Sequence, residues 1–324
     1  MNELDLPAAP IRDHGIEHDD FLRAVLDGLG KAQKELPCRF FYDERGSVLF
    51  EAITRLDEYY PTRTEAVILR NCAGEISGRS TPGTVLIEFG SGSSTKTEIL
   101  LEAMPQLAAY VAIDVSGSAL DEARARIEER FPHLHVETLV GDFSGPVTLP
   151  AICRDAPALG FFPGSTIGNL TRPEAITLLR HFHELLGTGS RFVAGVDLKK
   201  DKAILLPAYN DAAGVTADFN LNLLVRINRE LSGEFDLRQF RHESIWNESA
   251  GRIEMHLISL NEQQVAIGGR RFRFAAGETI HTENSHKYGI GEFQSLAASA
   301  GWTPAKVWTD AARLFSVHEL AAEA

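Results

Sequence analysis

The spacing of apolar positions changes twice along the chain. From Asp20, the segment FLRAVLDGLGKAQKEL has helical spacing, with Phe21, Val25 and Leu29 on one face. An aromatic stretch follows, holding Phe40, Phe41, Tyr42, Phe50, Tyr59 and Tyr60. Pro61 is expected to end one element there, and Thr62 or Thr64 to cap a helix that continues to Ile76. From residue 84 the pattern becomes short, continuous apolar runs at 84–89, 109–115, 136–140, 158–163 and 191–197. Helical spacing separates most of them, over 96–104, 118–130 and 173–186. Such alternation predicts a parallel sheet covered by helices on both faces. After Leu198 it stops. Residues 202–232 read as helical, with breaks near Pro207 and Gly214, and 239–275 as antiparallel strands with a turn at Gly268–Gly269. A helix at 289–300 and strands near 305–308 and 313–317 then complete the first sheet.

The chain is therefore expected to be an α/β protein with a Rossmann-like parallel unit interrupted by an insertion. The division is a loose tail over 1–16, an α+β unit from 17–62 and 200–287, and the parallel unit from 63–199 and 288–324. No internal repeat is present.

Composition narrows the possible partners. The 324 residues are 44% hydrophobic and 24% charged, ordinary for a globular protein. The 45 acidic against 32 basic residues leave a net charge of −13, which argues against a nucleic-acid or anionic-membrane partner. Cys38, Cys72 and Cys153 have neither disulfide-framework nor zinc spacing and read as free thiols. No stretch is apolar enough to span a bilayer, and the acidic N-terminus does not resemble a secretory signal. A soluble, cytoplasmic protein is expected.

The main chemical signal is Ile87-Glu88-Phe89-Gly90-Ser91-Gly92-Ser93-Ser94, a strand leading into a glycine turn and a helix. Glycines there let the backbone approach a ligand closely. A dinucleotide site usually has a third glycine, whereas this chain has Thr95 at that position, and its nearest cation is Lys96. The acidic Glu88 suits the cationic sulfonium and zwitterionic end of S-adenosylmethionine better than a pyrophosphate. Asp114, ending the second strand, can accept from ribose hydroxyls of either cofactor. Asp142 and Phe143 after the third strand favour the methyl donor, because they can bind an adenine amino group and pack on its ring.

With these residues in hand, the chain resembles the histidine Nα-methyltransferases of ergothioneine biosynthesis. The resemblance covers nearly the whole chain. It is carried by FYDERGSVLFEAITRLDEYYPTRTEA, IEFGSGSSTKT, FFPGSTIGNLT, AYNDAAGVTADFN, INREL, RIEMHL and TENSHK. It implies a SAM-binding Rossmann-like domain with a second, substrate-binding domain. S-adenosylmethionine is the implied donor and L-histidine the acceptor, trimethylated at its α-amine to hercynine. No metal is implied, and a monomer is the usual state.

Gly90, Gly92, Lys96, Asp114, Asp142 and Phe143, with Glu88, are then the cofactor residues. The acceptor pocket falls on Tyr42, Phe50, Tyr59, Gly164, Asn169, Tyr209, Met255, Glu283 and Ser285. Asn169 and Tyr209 can hold the carboxylate. Glu283 and Ser285, two apart on an extended segment, can hold one imidazole nitrogen while Tyr59 reaches the other. Phe50 and Met255 supply apolar walls. Tyr42 is placed at the amine and Asn169 orients it. No dedicated base is evident, and the amine's proton is expected to leave through Tyr42 and water.

Other conspicuous residues read as structural. The pairs His133/His135 and His181/His183 lack a third metal ligand at suitable spacing. Lys199, Lys200 and Lys202 read as a solvated charge run, and His281 and His286 as exposed loop residues. The competing functions are a relative acting on another amino acid, such as an indole amine, a SAM-binding protein without turnover, and, more distantly, a NAD-linked dehydrogenase.

Overall fold

The computed structural model describes residues 14–92 and 95–323. Helix α1 (His14–Leu29) buries Phe21, Val25 and Leu29 as their spacing predicts. It begins earlier than expected and takes in residues 14–16 of the proposed tail, whose remaining residues lie outside the described chain. Strand β1 (Lys34–Glu35) and a 3-10 turn at Cys38–Phe41 lead to α2 (Glu44–Thr54). Asp43 caps α2 by accepting from the Gly46 N–H at 2.7 Å.

Helix α3 (Tyr60–Gly78) corrects the sequence reading, since Pro61 opens it and neither threonine caps it. A proline in the first turn lacks only an N–H that would find no intrahelical partner, and its fixed φ suits the helix.

The alternating region follows as β2 (Val85–Phe89), α4 (Thr97–Ala103), β3 (Ala109–Asp114), α5 (Gly117–Arg130) and β4 (His135–Val140). It continues with β5 (Ala158–Phe162), α6 (Arg172–Leu186) and β6 (Arg191–Asp197). The inserted segment comprises α7 (Lys202–Tyr209), α8 (Val215–Leu231), β7 (Phe240–Asn247), β8 (Arg252–Ser259), β9 (Gln263–Ile267), β10 (Arg270–Phe274) and β11 (Thr279–His286). The chain then returns through α9 (Ile290–Ser299), β12 (Thr303–Thr309) and β13 (Phe315–Ala321).

The large sheet has the order β12-β13-β6-β5-β2-β3-β4, with β13 antiparallel to both neighbours and the remaining pairs parallel. Strand order reverses beside β2, whose neighbours are β3 and β5, so the crevice at its carboxyl end is where such sheets bind ligands. One face is packed with aromatic rings, including Phe89 stacked on Phe182 at 4.0 Å. The other packs against α3, α4 and α5 through residues such as Ile68, Leu100 and Leu120.

The smaller sheet runs β1-β11-β8-β7, and β9 and β10 form a separate hairpin turning at Gly268–Gly269. Its core joins Phe21, Phe41, Phe219, Leu223 and Leu257. Where the inserted segment leaves and rejoins the large sheet, Leu198 and Tyr288 form a parallel bridge.

Candidate active site

The carboxyl edge of the large sheet gathers the residues expected to bind the cofactor. Gly90 takes a φ of +76°, a region that favours glycine, and the edge of the Phe143 ring lies against it. Phe143 is held edge-on to Phe162 at 5.5 Å, so the aromatic core of the sheet fixes its position. Asp114 accepts from the Gly92 N–H and from the Ser116 N–H, each at 2.9 Å. Asp142 is exposed, with one oxygen accepting from the backbone N–H and hydroxyl of Ser144. Ser93 and Ser94 of the turn lie outside the described residues.

Two expected cofactor residues are placed differently from their neighbours. Glu88 is buried beneath the turn, and its carboxylate accepts from the Tyr110 hydroxyl. Burial pushes its carboxyl up to about 7 against the opposing hydrogen bonds from Thr97 and Tyr110. The ammonium of Lys96 donates to Glu65 at 2.5 Å. Among the described residues, the edge thus presents carboxylates, and the ammonium of Lys96 beside it is already paired. This arrangement suits ribose hydroxyls and a sulfonium better than a pyrophosphate.

The residues expected to hold the acceptor come from five separated segments, and four of these residues form one aromatic chain. Tyr42 packs edge-on to Phe50 at 5.6 Å, Phe50 to Tyr59 at 6.2 Å, and Tyr59 to Tyr209 at 6.2 Å. Met255 lies directly across from Glu283 in the β8–β11 register, next to a bulge between His281 and Glu283. Among the described residues, neither the Glu283 carboxylate nor the Asn169 amide has a hydrogen-bond partner. Asn169 ends the 3-10 turn Thr166–Asn169, which packs on β11.

Burial pushes the Glu283 carboxyl up to about 7, opposed only by the Lys287 ammonium. Burial also raises the phenols of Tyr42, Tyr59 and Tyr209, and the charge of Glu283 adds to each. These hydroxyls stay neutral at ordinary pH. They are hydrogen-bonding groups and not bases.

Ser285 is brought to Tyr209. Its hydroxyl is 2.7 Å from the Tyr209 hydroxyl and accepts from the Lys287 ammonium at 2.8 Å. Tyr209 is held through its backbone as well, since its carbonyl accepts from His242 Nε2 at 2.9 Å. Asn220 fixes that tautomer by donating to His242 Nδ1 at 2.8 Å. Asp211 of the same segment caps α8, accepting from Val215 and Thr216 N–H groups at 2.9 and 2.8 Å.

Several residues at the site were not singled out in the sequence. Glu65 is fully buried, and its carboxylate accepts from both Lys96 and the Gly164 N–H, the latter at 2.9 Å. It joins the cofactor turn to the loop at Gly164, whose own N–H is thereby used. Gly195 makes the space, because a Cβ there would meet Glu65 Oε1 at 1.9 Å. An acidic residue on the otherwise apolar stripe Pro61, Ile68, Leu69, Cys72 was the available signal. Arg63 donates to the carbonyls of Leu56 and Tyr59, each at 3.0 Å, and so sets the approach to α3. Phe219 lies beneath Tyr42 and Phe50, at 5.8 and 5.9 Å.

A buried ionic cluster occupies the junction of the two sheets. Asp197 pairs with Lys200 at 2.5 Å and with Lys287 at 2.6 Å, and accepts from the Tyr60 hydroxyl at 2.8 Å. Burial alone would push its carboxyl up, but the two ammonium groups hold it below the usual range. Lys200 is therefore not part of a solvated run, for its side chain is only 6% exposed. His281 and His286 likewise lie in β11, with His286 buried. On the opposite face from Met255, Glu254, His256 and His281 bring possible metal-ligand atoms within 4.8 Å of one another. Each already has a partner: Arg252 pairs with Glu254 at 2.6 Å, His256 faces Glu254 at 3.1 Å, and His281 faces the Glu283 carbonyl at 3.0 Å. Among the described residues, no helix is long and apolar enough to cross a membrane.

The sheet order, the glycine turn and the carboxylates at its edge define a Rossmann-like methyltransferase that uses S-adenosylmethionine. The model of the histidine-specific, SAM-dependent methyltransferase family matches residues 21–322, and the chain belongs to that family. It is 42% identical to the histidine N-alpha-methyltransferase of Mycolicibacterium smegmatis, over 91% of this chain and 92% of the relative. The corresponding enzyme of Mycobacterium tuberculosis is 40% identical, with the same two shares. Ergothioneine biosynthesis protein 1 of Neurospora crassa is 34% identical over 85% of this chain but only 32% of that longer protein.

Proposed function

We propose that this enzyme transfers three methyl groups in turn from S-adenosylmethionine to the α-amine of L-histidine, forming hercynine, the first step towards ergothioneine. The observation that carries the reading is the Glu283 carboxylate, which lacks a hydrogen-bond partner among the described residues and lies among Tyr42, Tyr59 and Tyr209. Glu283 is half-buried; a carboxylate drawn partly out of water without a donor is costly, and an imidazole N–H supplies one. Phenylalanine would leave it unpaired.

In this reading the unit from 17–62 and 200–287 holds the acceptor, and the unit from 63–199 and 288–324 holds the donor. Asp114 accepts from the ribose hydroxyls, Asp142 from the adenine amino group, and Phe143 with Gly90 and Gly92 lines the adenosine. Lys96, Glu65 and Glu88 set the floor and far wall of the cofactor turn. S-adenosylmethionine supplies an electrophilic methyl group on a sulfonium. Asn169 and Tyr209 fix the acceptor's carboxylate and Glu283 and Tyr59 its imidazole, while Phe50, Met255 and the loop at Gly164 exclude water. This aligns the amine with the methyl carbon, and orientation of that kind is the largest contribution available to a transfer between two bound molecules. Tyr42, kept neutral, relays the amine's proton towards water through its hydroxyl. A Tyr42→Phe enzyme is expected to lose rate and shift its rate–pH profile; an unchanged profile would remove Tyr42 from the proton path. The same reading takes the protein as a cytoplasmic monomer.

The test is methyl transfer followed by mass spectrometry, with histidine, tryptophan, tyrosine, phenylalanine and histamine as acceptors. Gains of one, two and three methyl groups on histidine alone are expected. Transfer to tryptophan instead would keep the donor assignment and discard the acceptor pocket.

A further inference from the structure

The side chain of Lys287 is completely buried, and all three of its ammonium protons are committed. They go to Asp197 Oδ2 at 2.6 Å and to the Tyr209 and Ser285 hydroxyls at 2.8 Å each. The same ammonium sits 4.6 Å from the centroid of the Tyr209 ring. The two hydroxyls are themselves 2.7 Å apart. They share two protons. One lies between them, and both oxygens accept from Lys287, so one O–H is left with no acceptor among the described residues. The triangle can therefore donate a single hydrogen bond outward, from a hydroxyl polarised by a neighbouring cation.

Charge completes the argument. One carboxylate, Asp197, stands between two ammonium groups, Lys200 and Lys287. Among the groups in direct contact there is one more ammonium than carboxylate, the cluster is buried, and a ligand anion would offset that difference. Glu283 makes no hydrogen bond to Lys287, so it acts on that ammonium only from a distance.

We propose that Lys287 is a specificity-determining positioning residue, which turns the Tyr209–Ser285 hydroxyl pair into a receptor for the acceptor's carboxylate and so restricts the enzyme to amino acids over the corresponding amines. This rests on the reading of Tyr209 as part of the acceptor pocket, and it moves Ser285 from the imidazole end to the carboxylate end. Lys200, bound to Asp197, Tyr60 and the Leu198 carbonyl, touches neither hydroxyl. It serves as the comparison.

The experiment measures binding as well as turnover. Dissociation constants for imidazolepropionate, which has the carboxylate but no amine, and for histamine, which has the amine but no carboxylate, are taken with S-adenosylhomocysteine present. In Lys287→Met the remaining Asp197–Lys200 pair is balanced, so the variant is expected to melt no lower than the parent. It should bind imidazolepropionate and histidine about tenfold to a hundredfold more weakly, as expected for a lost charge-assisted donor. Histamine binding should stay within about threefold of the parent, and the rise should fall on KM with little change in kcat. Lys287→Arg, which keeps the cation, should restore most of the discrimination, and Lys200→Met should leave it intact. The inference is overturned if Lys287→Met weakens histamine and imidazolepropionate equally, if it fails to fold while Lys287→Arg folds without discrimination, or if Lys200→Met has the same signature. A parent enzyme that methylates no histidine but still prefers carboxylate ligands in a Lys287-dependent way would overturn the proposed function alone.

Discussion

The two halves of the site treat their carboxylates in opposite ways. At the cofactor edge, Asp114 holds Gly92 and Ser116, Asp142 holds Ser144, and Glu65 holds Gly164 and Lys96. These groups are set in place before any ligand arrives, yet an ionised carboxylate has spare lone pairs for a ribose or an amino group. In the proposed acceptor cage, the Glu283 carboxylate and the Asn169 amide have no such partners among the described residues. One half is already complete as a folded structure. The other carries a polar group whose hydrogen bonds a substrate must supply, and that is the arrangement that discriminates most between acceptors.

The strongest way to break the comparison is to remove a partner where partners are complete. Glu65→Gln leaves the largely buried Lys96 ammonium unpaired and is expected to cost about 3–5 kcal/mol in urea unfolding, with activity lost in both halves. A loss below about 1 kcal/mol would mean that Lys96 finds water and that the cofactor edge is not preset as described.

The acceptor half should respond in the opposite sense. The carboxyl of Glu283 sits at about 7 in the folded protein against an ordinary 4.5. The fold therefore binds the proton more tightly than the unfolded chain does, and the contribution present below pH 4.5 is lost as pH rises to 7. Glu283→Gln should accordingly stabilise the unliganded enzyme at pH 8 by up to about 2–3 kcal/mol, with no gain at pH 4. It should also raise KM for histidine and abolish the fall in KM expected of the parent between pH 6 and 8 as Glu283 ionises. Equal melting temperatures for parent and variant at both pH values would show that Glu283 has a partner after all.

A narrower change tests whether the halves act separately. Asp114→Asn is expected to weaken S-adenosylmethionine by about 1.5–2 kcal/mol while histidine binding stays within about threefold, measured by calorimetry. The smallest effect should come from the floor of the cage. Phe219→Leu is expected to cost about 1 kcal/mol of stability and to raise KM for histidine a few-fold, because it loosens Tyr42 and Phe50 without touching a polar contact.

The same contrast governs what could be read in the sequence. The parallel unit was legible almost to the residue, because each strand, turn and helix is a local pattern and Gly90, Asp114 and Asp142 all fall at strand ends. The acceptor cage depends on contacts between distant segments, such as Tyr59 with Tyr209 and Met255 with Glu283. No periodicity announces them, and they came from the resemblance. The misreadings share a cause. Lys200 and His286 read as solvent-facing by residue type, but burial is decided by partners from elsewhere in the chain: Asp197 and the small sheet. Pro61 reads as a stop because proline breaks helices, and only its place in the first turn of α3 reverses that.

The parallel bridge between Leu198 and Tyr288 closes the inserted segment at its base. Topologically, everything from 199 to 287 hangs from the large sheet as one surface excursion whose two ends are already closed. Closing a longer excursion adds only about 0.6 kcal/mol for each doubling of its length. The parent sheet is thus nearly indifferent to what the excursion contains. Descendants of such a chain can rebuild or exchange most of the inserted segment, provided they keep its packing against the N-terminal helices, and never disturb the glycine turn that follows β2.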